Sequence, residues 1–260
     1  MIQARNYVKA ESLQEAYEVN QKKSTQIVAG MLWLKMGNRT KQTILDLSGL
    51  ELDYVTENEE EFSIGCMTSL RTLETHKRLN EEFFGIFREC TRHIVGVQFR
   101  NTATVGGSVF GRFGFSDILT CLLALDTYVE FYHEGLIPLA EFAARTQLLS
   151  ERDILVRIVI KKDGRRAVYQ SQRLTKTDFP QIACCVAKKD DMWYVSVGAR
   201  PERAECRKIP TDGDIAAAAK AAAESFSYRS NVRASAEYRK ALAEIYIRRA
   251  MNEIAEGGRK

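Results

Sequence analysis

The stretch RNTATVGGSVF, residues 100–110, is the part of the sequence that decides the fold prediction. Its paired glycines, Gly106 and Gly107, lie between the hydroxyl side chains of Thr104 and Ser108. Glycine has no Cβ, so two glycines in a row let a ligand approach the main chain closely. We therefore predict a non-helical, ligand-contacting turn at this point of the chain.

The stretch that follows, FSDILTCLLALD (residues 115–126), is mostly apolar after Asp117 and predicts a buried helix. Asp117 lies at the start of this helix. Its carboxylate there either accepts hydrogen bonds from the hydroxyl groups of a ligand or stabilises the positive end of the helix dipole. The residues alone leave both interpretations open.

A second glycine-containing turn lies earlier, where a predicted strand at residues 26–29 runs into a glycine. A strand that turns sharply at glycine exposes successive backbone N–H groups, which bind phosphate without any basic side chain. The alternative is that the glycine merely ends the strand and the apolar residues after it belong to the core. The segment consists of Ile27, Val28, Ala29, Gly30, Met31, Leu32, Trp33 and Leu34.

The length of 260 residues suggests about two domains. We predict a first domain over residues 1–150, with subdomains at about 1–57 and 58–150, and a second domain over residues 151–260. The second domain has a sheet-then-helices pattern, which is typical of an α+β fold. Its predicted strands are residues 154–161, 167–172 and 193–199, and its predicted helices are residues 215–225 and 235–254.

Composition excludes several classes of function. The 38 basic and 34 acidic side chains give a net charge of +4, and the basic residues form no concentrated stripe of the kind that binds nucleic acid. No run approaches the ~20 apolar residues of a membrane span, and the N-terminus lacks the apolar segment of a signal peptide. We therefore expect a cytoplasmic protein that binds neither nucleic acid nor membrane.

The chemistry-bearing residues form no recognisable catalytic or metal-binding pattern. The six cysteines lack the close spacing of zinc and iron–sulfur sites, which indicates buried free thiols in a reducing compartment. The three histidines are scattered. The sequence contains neither the G-x-S-x-G pattern of serine nucleophiles nor the Walker A pattern that binds nucleoside triphosphates. We predict neither a catalytic residue nor a metal site on this chain.

At these residues the chain resembles the FAD-binding subunits of molybdenum hydroxylases, of the xanthine dehydrogenase and carbon monoxide dehydrogenase type. That family carries R-N-x-A-T-x-G-G-N, followed by S-D-[IL] and L-L-A-L-D. FSIGCMTSLRTLE, residues 62–74, is similar to its I-G-A-x-T-x-L-x-x-L-E. SNVRASAEYRKAL, residues 230–242, is close to its S-D-x-R-A-S-A-x-Y-R-R-x-L. The matches occur in the family's order and span nearly the whole chain.

The resemblance implies an α+β protein. Its first domain would be a vanillyl-alcohol-oxidase-like (PCMH) FAD-binding domain of two α/β subdomains. The second would be an α+β C-terminal domain, a three-stranded antiparallel sheet with helices.

The resemblance also assigns residues to the cofactor. The segment at residues 27–34 would wrap the FAD pyrophosphate, and Asp117 would contact sugar hydroxyls of the cofactor. The second loop is matched by Thr104, Gly106, Gly107 and Ser108. By position, Ile94 and Leu155 would make apolar contacts to the flavin or adenine, and Gln170 falls where some relatives place a lysine near the flavin.

The implied function is electron transfer within a multi-subunit enzyme. Electrons would pass from a [2Fe-2S] small subunit through FAD to NAD+, and a molybdopterin-binding large subunit would hydroxylate the substrate. The first loop departs from the family's A-G-G-T-D-L, because Met31 and Leu32 stand at the Thr-Asp pair. An alternative is therefore a flavin-free structural subunit of the same assembly. A stand-alone flavoenzyme of the wider FAD group is a third, although no histidine or cysteine is convincingly placed to attach the flavin.

Overall fold

The computed structural model describes residues 2–146 and 152–257, and its strands form three separate sheets. The first sheet is parallel, in the order β1-β3-β2, and carries one helix. Ser12 starts that helix, because its hydroxyl accepts a hydrogen bond from the Glu15 N–H at 3.1 Å. These elements are β1 (Gln3–Lys9), α1 (Leu13–Asn20), β2 (Thr25–Val28) and β3 (Thr40–Asp46). A short 3-10 turn, Leu34–Met36, follows the loop after β2.

The second sheet has five antiparallel strands in the order β4-β5-β8-β6-β7. Its strands are β4 (Val55–Glu57), β5 (Glu61–Gly65), β6 (Thr127–Phe131), β7 (Gly135–Pro138) and β8 (Leu155–Lys161). Short helices connect β5 to β6 and follow β7. They are α2 (Leu70–Thr75), α3 (Lys77–Glu82), α4 (Ile86–Thr91), α5 (Val97–Thr102), α6 (Val105–Phe110), α7 (Asp117–Leu123) and α8 (Leu139–Ala144).

The prediction of a non-helical turn at residues 100–110 is wrong, because this stretch contains the end of α5 and all of α6. Gly106 and Gly107 are both helical. A Cβ on Gly106 would lie 2.6 Å from the Cys66 carbonyl oxygen, so this glycine serves close packing inside the protein. By contrast, the buried helix predicted after Ser116 is confirmed as α7.

The third sheet is antiparallel, in the order β12-β11-β10-β9, and is followed by two helices. These elements are β9 (Arg166–Gln172), β10 (Ile182–Lys189), β11 (Met192–Gly198), β12 (Glu205–Pro210), α9 (Ile215–Glu224) and α10 (Ala236–Ala255). The sheet has four strands in the described chain, where three were predicted. The predicted strand at residues 154–161 belongs instead to the second sheet as β8, between β5 and β6.

The predicted domain boundary at residue 150 falls within residues 147–151, outside the described residues. Because β8 completes the second sheet, the chain passes to the third sheet only between Lys161 and Arg166. The sequence pattern missed this because β8, although it comes late in the chain, pairs with strands that precede it.

The third sheet is buried on both faces. On β10, Ile182 and Cys184 pack in the cluster formed with α9 and α10, whereas Ala183 and Cys185 pack in the cluster of the second sheet and its helices. Alternate strand residues point to opposite faces, so a strand covered on both faces is apolar throughout. This explains the continuous apolar run in β10, and it joins the C-terminal domain to the helices around α7.

The C-terminal motif at residues 230–242 has a structural role. Ser235 caps α10 by accepting a hydrogen bond from the Tyr238 N–H at 3.2 Å. Arg239 is 1% exposed and donates to the carbonyls of Gln181 and Ala199 and, at 2.5 Å, to the Asn231 Oδ1. Its guanidinium thereby ties the start of α10 to the ends of β10 and β11.

Asn231 stands where the resemblance places an aspartate, and Arg239 has no carboxylate partner in the described chain. We expect Asn231→Asp to raise the free energy of unfolding by about 1 kcal/mol, because hydrogen bonds between charged groups are stronger than neutral ones. Urea unfolding measures this change. In an Arg239→Met background the gain should disappear; an equal gain there would show that Arg239 is not the partner.

Candidate functional site

A cleft of about 520 Å³ lies between the loop after β2, the region from α5 to α7, and the connection from β9 to β10. This volume is within the range of pockets that bind small molecules and cofactors. With the exception of Gln170, all of the residues predicted to contact the cofactor line it. They are Ile27, Val28, Ala29, Gly30, Met31, Leu32, Trp33, Leu34, Ile94, Thr104, Gly106, Gly107, Ser108, Asp117 and Leu155.

The loop after β2 presents free backbone donors to the cleft. Within the described chain, none of the N–H groups of residues 29–33 donates a hydrogen bond to a protein acceptor. Successive unpaired amides form a concave site for anions, since each can donate to the same phosphate group. The side chains of this loop are apolar from Ile27 to Leu34, so the backbone alone supplies its polar contacts.

Gly30 sets the position of this loop against the second subdomain. A Cβ at Gly30 would lie 2.0 Å from the carbonyl oxygen of Thr102, so the two backbones are in direct contact there. The next residue, Met31, has a φ of 56°, in the left-handed region that residues with a Cβ rarely adopt. The loop is therefore held in its shape by contacts with α5.

The N-terminus of α6, in contrast, is already occupied by protein acceptors. Val105 N–H donates to Thr68 O, Gly106 N–H to Cys66 O, and Gly107 N–H to the Thr104 hydroxyl at 3.1 Å.

The start of α6 presents two hydroxyl groups to the cleft, those of Thr104 and Ser108, together with the exposed backbone of Gly107. A hydroxyl has one donor and two acceptor sites, so Thr104 keeps its proton for a ligand while it caps the helix. Ser108 donates its own proton to Thr104 O at 3.0 Å and keeps acceptor sites.

Asp117 is 5% exposed and lies in a buried network. Its Oδ1 accepts hydrogen bonds from the Tyr169 hydroxyl and, at 2.5 Å, from Arg173 Nη2. Burial raises the pKa of the Asp117 carboxyl, and the Arg173 guanidinium acts in the opposite direction. Asp117 Oδ2 has no protein partner in the described structure, which leaves one oxygen able to accept from a ligand hydroxyl.

Several polar residues that the sequence did not single out also line the cleft, among them His93, after α4, and Arg173, after β9. His93 Nδ1 and Arg173 Nε are both buried and lack hydrogen-bond partners in the described structure. Burial and the neighbouring cations, Arg92 first among them, lower the pKa of His93 and favour its neutral imidazole. No motif marks either residue, because both come to the cleft through long-range packing.

An aromatic cluster around Trp33 connects the first loop to the C-terminal domain. Trp33 stacks on Phe179, with ring centroids 5.6 Å apart, and meets Phe99 and Phe115 edge-on. Phe179 belongs to residues 177–180 between β9 and β10, which line the cleft and were also missed. This wall of the cleft is suited to flat apolar ring systems.

The placement of Gln170 at the cofactor does not agree with the structure. Gln170 pairs with Cys184 across β9 and β10, whereas its neighbour Tyr169 pairs with Cys185. Directly opposed residues share a face, so Gln170 lies on the face covered by α9 and α10, and Tyr169 lies on the face toward α7. Arg173, which follows β9 and lies three residues after Gln170, is the positively charged residue from this part of the chain that lines the cleft.

The described residues contain no group of three or more potential ligands that could hold a metal ion. Nor is any described helix both long and apolar enough to cross a membrane. Free amides, hydroxyls and a flat apolar wall together can hold a ligand that combines ring systems with phosphate.

Comparison with known families agrees with this geometry. Residues 2–161 match the family described as the FAD binding domain in molybdopterin dehydrogenase. Residues 202–254 match the CO dehydrogenase flavoprotein C-terminal domain. The glyceraldehyde dehydrogenase medium chain of Sulfolobus acidocaldarius is 31% identical over 130 residues, which is 48% of this chain and 46% of that protein. The match therefore spans about half the length of this relative.

Solved structures share the fold. The chain superposes on quinoline 2-oxidoreductase from Pseudomonas putida 86 with a TM-score of 0.85 and 20% identity, covering 97% of both chains. Carbon monoxide dehydrogenase from Hydrogenophaga pseudoflava gives a TM-score of 0.85 and 20% identity, covering 95% of this chain and 96% of that one. At these identities the likeness establishes the architecture and nothing finer, and it confirms the predicted fold class.

Proposed function

The chain belongs to the family of FAD-binding domains of molybdopterin dehydrogenases, and from this premise we propose that it is the electron-transfer flavoprotein subunit of a molybdenum hydroxylase. In this proposal it passes electrons from [2Fe-2S] clusters through FAD to NAD+. Its partners are a molybdopterin-binding large subunit and a [2Fe-2S] small subunit. Its location is the cytoplasm, a reducing compartment that fits its free thiols.

The row of unpaired amides at residues 29–33 is the observation that carries this proposal. These donors fit the FAD diphosphate, which needs several N–H groups converging on its oxygens. They also compensate for Met31 and Leu32, because a backbone donor does not depend on the side chain it belongs to. The residues present therefore fit the family's cofactor despite the altered loop.

The walls of the cleft fit the rest of the cofactor. Ile94 and Leu155 supply apolar surface for ring systems, and the free oxygen of Asp117 can accept from a sugar hydroxyl. A bound FAD takes up electrons singly from iron–sulfur centres and gives them up in pairs as a hydride. The role of the chain is to bind and orient FAD and to exclude water from its rings.

A covalent flavin attachment is not part of the proposal. Cys66 lines the cleft, but burial raises the pKa of its thiol to about 12, so it is protonated and unreactive at neutral pH. This argues against the stand-alone flavoenzyme alternative in its cysteine-linked form.

The visible absorption spectrum of the purified chain, with acid release of any bound flavin, tests the proposal. We expect flavin bands and one FAD per chain, released by acid because the cofactor is held without a covalent bond. A colourless chain that cannot be reconstituted with FAD would contradict the proposal and favour the flavin-free structural subunit. The control for release is Cys66→Ser, which should leave the flavin content unchanged.

The electron acceptor and the partners need a separate measurement. Anaerobic addition of NADH to the FAD-loaded chain should bleach its visible absorbance if a nicotinamide exchanges hydride there. No bleaching would remove NAD+ from the proposal while leaving the flavoprotein intact. Metal analysis of the complex isolated with the tagged chain should find molybdenum and iron, and their absence would contradict the proposed partners.

A further inference from the structure

The charges that line the cleft are unusual for a site that accepts a diphosphate. Three carboxylates line it, those of Asp117, Asp153 and Asp178. Among the described lining residues, Arg173 is the only side chain with a permanent positive charge. An FAD diphosphate carries two negative charges, so in a partly apolar cleft the position of this one cation matters for its binding.

The Arg173 guanidinium is held rigidly. Its side chain is 8% exposed, Nη2 donates to Asp117 Oδ1 at 2.5 Å, and Nη1 donates to the Asp178 carbonyl at 2.6 Å. Its Nε–H is buried and has no partner in the described structure. A buried donor left without an acceptor is destabilising, so a ligand oxygen that accepts from Nε would remove that cost.

His93 adds a second unpaired nitrogen to the same part of the cleft. Its Nδ1 is buried without a partner, and Arg92, Arg173, Lys176 and Arg100 act on it electrostatically. Arg100 and Arg92 are paired with Glu74 and Glu89, respectively. The surroundings of His93 are therefore rich in positive charge and contain a buried polar atom without a protein partner in the described structure.

We propose that Arg173 binds a phosphate of the FAD diphosphate through its Nε–H, with His93 Nδ1 as a neighbouring contact. The inference rests on the proposed flavoprotein function and deepens it. The first loop contributes only backbone donors, so the charged side-chain contact comes from the C-terminal domain. Asp117 acts here as a positioning residue, because its carboxylate fixes the guanidinium. FAD then connects the first subdomain to the third sheet.

Binding of three probes to the full chain, freed of flavin, tests this assignment. FAD contains ring and diphosphate, ADP contains the diphosphate without the flavin, and riboflavin contains the ring without phosphate. We expect Arg173→Gln to weaken FAD and ADP binding about 10- to 100-fold in titration calorimetry, while riboflavin binding is unchanged. The matched control is Arg165→Gln. Arg165 is also a buried arginine paired with an aspartate, Asp163, but it does not line the cleft, so all three affinities should be unchanged.

Two results would overturn the assignment. If R173Q binds FAD and ADP with unchanged affinity, the phosphate contact is excluded. If its affinity for riboflavin falls as much as its affinity for FAD, Arg173 contacts the flavin ring instead. If R173Q does not fold, the Arg173 Nε–H resonance of the arginine-labelled wild-type chain decides. It should shift when ADP binds and stay in place when riboflavin binds, and any other pattern contradicts the proposal. A wild-type chain that binds no FAD would instead contradict the flavoprotein function itself.

Discussion

Gly30→Ala should weaken FAD binding by about 100-fold or more and lower the free energy of unfolding by about 1–3 kcal/mol. A Cβ at this position lies 2.0 Å from the Thr102 carbonyl oxygen, which is a backbone atom and cannot rotate away. The loop must then move away from α5, and the free amides of residues 29–33 are displaced with it. Losing two charge-assisted hydrogen bonds to phosphate accounts for an effect of this size. Titration of the flavin-free chain with FAD measures the affinity, and urea unfolding measures the stability.

Gly37→Ala is the matched control for this substitution. Gly37 lies seven residues later, has a φ of −74°, and its Cβ would meet the Leu34 carbonyl oxygen at 3.3 Å. A shift of a few tenths of an ångström accommodates that contact, so both affinity and stability should remain near those of the wild type. Gly30→Ala with wild-type affinity for FAD would show that the loop does not bind the cofactor through its backbone.

Arg239→Met should lower the free energy of unfolding by about 2–6 kcal/mol, because each of two buried carbonyls left without a donor costs about 1–3 kcal/mol. The substitution keeps much of the side-chain volume but leaves the buried carbonyls of Gln181 and Ala199 without their donor. Gln181 immediately precedes β10 and Ala199 immediately follows β11, so the third sheet loses its connection to the start of α10. The fluorescence of Trp193, which is buried in the cluster between this sheet and the helices, reports the unfolding of the C-terminal domain.

Arg248→Met provides the comparison, because Arg248 is exposed on the same helix. Its loss should change the stability by less than about 0.5 kcal/mol. Equal effects of the two substitutions would show that the burial and hydrogen bonds of Arg239 do not stabilise the C-terminal domain. FAD affinity should change little in either variant, since neither residue lines the cleft.

Local pattern predicted the parts of the site that lie within one segment. The apolar loop from Ile27 to Leu34 follows a strand, and the helix that begins at Asp117 is buried, as their sequences indicate. Ile94 and Leu155, which the resemblance assigned to the cofactor, line the same cleft. The first two segments could be found because each is recognised from the residues next to it, whereas Ile94 and Leu155 were assigned only from their positions relative to the family.

Other predictions failed where a local pattern had two structural explanations. Gly106 and Gly107 suggested a turn open to a ligand, yet they are helical, and Gly106 is needed for contact with Cys66. The sequence likewise assigned residues 154–161 to the C-terminal sheet, although β8 completes the second sheet. Which neighbour a glycine or a strand meets depends on segments many residues away.

The sequence by itself therefore determined the family, the fold class and the two glycine-containing segments that line the cleft, because these follow from short motifs and their order. The tertiary structure decided which backbone donors are free, on which face of β9 Gln170 lies, and that Arg173 reaches the cleft. The physical reason is that a polar group has a hydrogen-bond partner only where folding places a suitable atom beside it. Both glycine-containing segments look similar in sequence, but at α6 the amides of Val105 and Gly106 donate to the distant Thr68 and Cys66 carbonyls, whereas those of residues 29–33 donate to no protein acceptor in the described chain.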